Sequence, residues 1–257
     1  MKKIFLLLAV CCASSFSYLA TAQTAEEIVA SYLENIGGEE QLNKIKNMVI
    51  TGKSQAQGME FPVTMYQTAD GKQRMDLVFQ GKEITQMAFD GEVGWGVNFM
   101  TGEAEKMEAE QSKMMKEQLT DFPDPFLNYK EKGYTVELVE ETELEGTPVY
   151  KIKLTKKPIM VEGEELENFS FYYFDKDSYV TLAQEEIAKA GPMKGQSTMT
   201  YTSDYDEVAG VYMPFSITSK MNGTTMFSMA IEKIDVNTDI AEGLFAFPEA
   251  NSEGGEK

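Results

Sequence analysis

The stretch DGKQRMDLVFQGKEITQMAFDGEVGWGVNFMTG, running from Asp70 to Gly102, decides the fold. A turn pair recurs at Asp70-Gly71, Gln80-Gly81, Asp90-Gly91 and Thr101-Gly102, and apolar residues alternate with polar ones between the turns. Short strands joined at this spacing read as an antiparallel meander. Each link is too short for the crossover helix that a parallel pair needs.

Working outward, the period of two begins at Met48 and resumes after residue 133. Strands are expected near Tyr134–Leu144, Thr147–Lys156, Asn168–Asp175, Tyr179–Ala188, Gln196–Tyr205, Val211–Met221 and Thr224–Val236, with hairpins at Glu145-Gly146, Lys176-Asp177 and Asn222-Gly223. The segment Pro158–Glu167 reads as an exposed acidic loop, and Asp204-Tyr205-Asp206-Glu207 as a charged turn. Two segments depart from this rhythm. Ile28, Val29, Tyr32, Leu33 and Ile36 recur at helical spacing behind a Thr24/Glu27 capping box, and Gly37-Gly38 stops them. Ala109–Phe122 is a second helical stretch, ended by Pro123 and Pro125. The expectation is a mainly β chain, an open antiparallel β-barrel of about eleven strands with few helices. Two helices cannot cover the apolar face of so large a sheet, so it should curl and leave an apolar cavity.

Residues 1–22 read as an export signal: Lys2 and Lys3, an apolar run from Ile4 to Val10, then an A-x-A site at Ala20-Thr21-Ala22. One domain is expected over 23–248, followed by a mobile acidic tail at 249–257. Both cysteines fall inside the signal, and an exported chain without cysteine or histidine fits the periplasm of a Gram-negative bacterium. The chain carries 23 basic against 42 acidic residues, a formal charge of −19, which argues against nucleic acid as a partner. No stable membrane insertion is expected, because no long apolar run follows the signal.

Without histidine there is no Ser-His-Asp or Cys-His catalysis and no His-ligated metal. Neither a cofactor nor a metal is expected, and the chain does not read as an enzyme. A carboxylate-dependent polysaccharide hydrolase remains the enzymatic alternative, but Asp/Glu pairs arise by chance in so acidic a chain. What is abundant is methionine, a flexible residue suited to apolar partners of variable shape. The candidate cavity residues are Met65, Met75, Leu77, Met87 and Phe89 in the first strands, Trp95 and Val97 in the next, and Phe171, Tyr173, Met199 and Phe215 in the second group. The aromatic run Phe169–Phe174 requires both faces of its strand to be covered. Arg74, the single arginine, is either an exposed strand charge or a polar group at the cavity mouth.

Several segments resemble the LolA/LolB-like superfamily of periplasmic lipoprotein carriers, in particular the exported outer membrane lipoprotein-sorting proteins. They are Ala25-Glu26-Glu27-Ile28 through Gly37-Gly38 with Leu42 and Ile45; Gly71-Lys72-Gln73-Arg74-Met75-Asp76; Phe89-Asp90-Gly91-Glu92-Val93-Gly94-Trp95; and Gly243-Leu244-Phe245-Ala246-Phe247-Pro248. The resemblance implies an open barrel closed by a helical lid over a cavity for the acyl chains of lipoproteins or lipids. It also implies a donor at the inner membrane and an acceptor at the outer membrane. Ala109–Phe122 would be the lid, with Met114, Met115 and Leu119 turned towards the cavity. Gln67-Thr68-Ala69 stands where the carriers have a basic residue that grips the lid. A sensor or protein-interaction module of the same fold is the alternative function.

Overall fold

A computed structural model of the protein describes residues 23–56, 58–161, 163–189, 191–241 and 243–248. The export signal and the acidic tail read from the sequence lie outside these residues.

These residues form three α-helices and thirteen strands: α1 (Ala25–Asn35), α2 (Glu39–Leu42), β1 (Asn47–Ala56), β2 (Met59–Thr68), β3 (Gln73–Phe79), β4 (Lys82–Phe89), β5 (Gly94–Val97), β6 (Ala104–Lys106), α3 (Ala109–Gln118), β7 (Thr135–Leu144), β8 (Thr147–Val161), β9 (Glu164–Asp175), β10 (Thr181–Ile187), β11 (Ser197–Val208), β12 (Val211–Met221) and β13 (Thr224–Val236). All thirteen strands lie in one antiparallel sheet, ordered β6-β5-β4-β3-β2-β1-β13-β12-β11-β10-β9-β8-β7. β6 and β7 are its two edges, so the barrel is open.

The count exceeds eleven for local reasons. The turn at Gly58 splits the expected first run into β1 and β2, and β6 is only three residues long. Two further expectations are corrected. Pro158–Glu167 is the tip of the β8–β9 hairpin, with Ile159, Met160 and Val161 paired to Leu166, Glu165 and Glu164, because apolar residues on both arms extend the ladder. Asp204–Glu207 lies within β11, and the turn falls at Ala209-Gly210.

One non-local ladder holds the two groups of strands together: β1 pairs with β13 from Met48–Val236 to Gln55–Ser228. Its register shifts at Gly52, where an added Cβ would lie 2.3 Å from the Ala230 carbonyl oxygen. The extra residue is Glu232 of β13; this mid-sheet bulge, with Gly52 opposite, lets the backbones close in and sharpens the curl.

α1 lies against the inner face. Thr24 Oγ1 accepts from the Glu27 amide at 3.2 Å, and the Glu27 carboxylate accepts from the Thr24 amide at 2.9 Å. Ile28, Val29, Tyr32 and Leu33 are buried together with Phe126, Ile152, Leu154 and Phe174. Tyr32 meets Phe126 and Phe174 edge-on, with ring centroids 5.8 and 5.3 Å apart. No helix among the described residues is long and apolar enough to cross a membrane.

Candidate ligand-binding hollow

Residues paired directly across an antiparallel ladder share a face. Ile234 therefore joins Ile50, Met65, Met75 and Met87 in one row across β13, β1, β2, β3 and β4 on the inner face. α1 fills only part of the space above this face. A hollow of about 440 Å³ remains between α1, the segment Pro123–Phe126 and the sheet.

One wall of the hollow is apolar: Met48, Ile50 and Met65 from β1 and β2, with Met213, Ile217, Met229 and Ile231 from β12 and β13. The adjoining wall is polar, made by Thr181 and Gln184 of β10 and Thr200, Thr202 and Tyr205 of β11, and Thr202 pairs directly with Ile217 of the apolar wall. The polar wall is largely bonded within itself. Tyr205 Oη and Thr202 Oγ1 donate to the Thr181 carbonyl at 2.7 and 2.9 Å. Burial raises the pKa of the Tyr205 hydroxyl, so it stays a neutral donor. Tyr205 reaches this wall because Asp204 adopts φ +55° and interrupts the β11–β12 ladder between Ser203–Ser216 and Tyr205–Pro214.

Asp124 also lines the hollow. Its carboxylate accepts from Tyr32 Oη at 2.5 Å and from the Phe126 amide at 2.8 Å. Desolvation by burial pushes its pKa up against the opposing pull of these two hydrogen bonds. The Tyr32 hydroxyl is raised well above its ordinary range, by burial first and by Asp124 second.

The residues singled out in the sequence are dispersed. Met65 alone among them lines this hollow; Met75, Leu77 and Phe215 pack in the adjoining core. Met87 stands across from Met75, and the buried Phe89 across from Gly94. α3 covers that end: Ser112 Oγ accepts from the Gly94 amide at 3.0 Å, and Met115 approaches Gly94 so closely that an added Cβ would lie 3.2 Å from its sulfur. Met114 faces a second hollow, and Leu119 a small one beside Gly71 and Lys72.

Trp95, Val97 and Arg74 belong to the outer face. Trp95 and Arg74 both share a face with Ala88, and the C-terminal segment covers them. Trp95 Nε1 donates to the Phe245 carbonyl at 2.9 Å, and Arg74 Nη1 to the Leu244 carbonyl at 2.6 Å. Arg74 also binds the buried Asp76 through Nε at 2.8 Å and Thr85 Oγ1 through Nη2 at 2.9 Å. Val97, half-buried, lies two residues beyond Trp95 in β5.

Phe171, Tyr173 and Met199 form a separate outer cluster with Val149 and Ala183. Lysine stems complete its cover: Lys151 Nζ lies 4.5 Å from the Phe171 ring centroid, and Lys153 Nζ 4.4 Å from that of Phe169. Both faces of β9 are thus covered, with Tyr172 and Phe174 on the inner side.

Sequence reasoning missed Tyr205, Gln184, Thr200, Thr202 and Asp124. Alternation with outward residues marked only Gln184, Thr200 and Thr202, since Tyr205 is out of phase behind Asp204 and Asp124 lies outside the strands. The signal for Asp124 was its place between Pro123 and Pro125, where a helix must stop.

No protein-family model matches the chain, and no curated protein matches it in sequence. Its fold, however, is shared with solved structures. A DUF1329 family protein from Desulfovibrio piger superimposes with a TM-score of 0.54 at 11% identity, over 87% of this chain and 98% of that one. An outer membrane lipoprotein-sorting protein domain from Vibrio parahaemolyticus gives 0.55 at 10% identity, over 86% and 97%. A LolA superfamily protein from Nitrosomonas europaea gives 0.52 at 12% identity, over 87% and 98%. The chain has a LolA-like fold.

Proposed function

We propose that the protein is a non-enzymatic, periplasmic carrier that shields an acyl chain of a lipoprotein or lipid during transfer towards the outer membrane of a Gram-negative bacterium. The observation that carries this reading is the hollow of about 440 Å³ with a methionine- and isoleucine-rich wall, a size and lining suited to a small apolar ligand. Each methylene moved from water into it contributes about 0.8 kcal/mol, and Met48, Met65, Met213 and Met229 can adapt to chains of different shape. The LolA-like fold supports the same reading, and so does the export signal read at residues 1–22. In this account α3 and Pro123–Phe126 form the movable cover.

Ile217→Trp tests it. Ile217 is half-buried on the wall, so a larger side chain would fill the hollow from one side. Retention of a fluorescent long-chain fatty acid should fall by about tenfold or more, while the urea midpoint shifts little. Unchanged retention in a folded variant would overturn the assignment. Native mass spectrometry of the protein purified from its own periplasm should show acyl-bearing cargo as added mass.

A further inference from the structure

A second hollow of about 450 Å³ adjoins the first. Tyr172, Gln184 and Thr200 line the first hollow; Ser170, Glu186 and Thr198, each two residues along the same three strands, line the second. Residues two apart on a strand share a face and lie about 7 Å apart. The pairs Gln184–Tyr172, Gln184–Thr200 and Glu186–Thr198 keep the strands in step. The two hollows therefore follow one another along these strands, and Phe169 and Ile187, which alternate with Ser170 and Glu186, bring the second one round to the outer side as well. The second opens where β9 and β10 part, beyond the pair Glu185–Phe171, and Met114 of α3 lies against it.

Its chemistry differs from that of the first. Lys156 is neutralised, its Nζ lying 2.5 Å from Asp121 Oδ2. Glu186 Oε1 accepts from Gln184 Nε2 at 2.8 Å. Lys189 makes no ion pair among the described residues: its Nζ donates to Asn168 Oδ1 at 2.8 Å and stands 5.2 Å from the Phe169 ring centroid. It is half-buried, and desolvation lowers its pKa although Glu186 pulls the other way. An ammonium group has three donors, and partial burial with one neutral acceptor leaves it short of compensation. In a chain of net charge −19, such a cation is a local exception.

We infer that this second hollow takes the anionic group, a carboxylate or phosphate, of an amphiphile whose hydrocarbon occupies the neighbouring apolar hollow, with Lys189 as the binding cation. Asn168, Ser170 and Thr198 supply the polar surroundings. The inference rests on the acyl-carrier reading and adds to it the chemistry of the cargo's head. Met114 then lies beside the head and the Pro123–Phe126 segment above the chain, so one continuous cover spans both.

The test compares a fluorescent long-chain fatty acid with its methyl ester at neutral pH, on the purified protein and two variants. The unsubstituted protein should bind the acid about tenfold more tightly than the ester, and Lys189→Met should bring that ratio close to one. Glu186→Gln, which removes the nearby competing carboxylate, should widen the ratio. A preference for the acid that survives Lys189→Met would overturn the inference. Equal binding of acid and ester by the unsubstituted protein would overturn it while leaving the acyl-carrier reading intact. Binding of neither would remove both.

Discussion

The outer face of β3, β4 and β5 and the inner face between β1, β2, β12 and β13 begin as the same kind of surface, an apolar sheet that cannot be left to water. The chain treats them differently. On the outer face it supplies its own cover: Leu244–Phe247 lies over Trp95 and Ala88, and the two carbonyls this would bury are matched by Trp95 Nε1 and Arg74 Nη1. On the inner face α1 covers part of the surface and Pro123–Phe126 another part, and a hollow is left between them. Polar groups at its edge are bonded to one another, whereas the apolar wall, whose methionine and isoleucine side chains pack into the core from behind, borders open space on its inner side. A closed face with every polar atom answered reads as structure. An adaptable apolar wall left open beside a self-satisfied polar one reads as a site.

This contrast can be broken experimentally. The largest effect is expected from Arg74→Ala, which strips the buried Asp76 of its partner and frees the C-terminal segment. Removing one member of a buried pair costs about 3–5 kcal/mol, and urea denaturation should show it. Fatty-acid affinity of the folded variant should change less than about twofold; a binding loss without a stability loss would move the site to the outer face.

A smaller, pH-dependent effect is expected from Asp124→Asn, beside the hollow. Burial raises the Asp124 pKa in the folded state, so the native protein holds this proton more tightly than the unfolded chain does. The resulting stabilisation is complete below the ordinary carboxylate pKa of about 3.9 and is lost as pH rises through the raised value. Asparagine can keep the Phe126 amide bond through Oδ1 and face Tyr32 Oη with its amide, without a charge. The variant should lose this component of the acid-side pH dependence, gaining most relative to the parent above the raised value. Parallel stability–pH curves for the two proteins would refute it.

The smallest effect is expected on the outer cluster. Lys153→Ala removes an ion pair with the exposed Glu167 and the cation over Phe169. It should shift stability by about 1 kcal/mol or less and leave the affinity for ligand unaltered. A large binding change there would mean that Phe171 and Tyr173, which line neither hollow, also meet ligand.

Much of the architecture was legible locally. The Thr24/Glu27 box, the buried series from Ile28 to Ile36 and the Gly37-Gly38 stop are all interactions within one stretch of chain. The turns at Gly71, Gly81, Gly91 and Gly102 all adopt positive φ, which is why a glycine at each was informative. Less legible was the site. Alternation says that Tyr172 and Phe174 oppose Phe171 and Tyr173, but it does not say which pair turns inward. Phe171, Tyr173 and Met199 look as suited to a cavity as Met48, Met213 and Met229 do, yet the sheet curls the other way. Asp204–Glu207 read as a solvated turn because acidic residues dominate it, and Tyr205 was lost among them.

From the sequence by itself came the succession of strands, the positions of α1 and α3, and an apolar content too large for the helices to cover. Those properties depend on neighbours in the chain: backbone preferences, caps and a period of two. Only the tertiary structure decided which face became concave, that Pro123–Phe126 and α1 share the cover, and that Arg74 and Trp95 serve the C-terminal segment. The reason is that each outcome depends on contacts between distant residues, from the β1–β13 ladder with its bulge opposite Gly52 to the docking of Leu244 and Phe245, and no local pattern records such pairings.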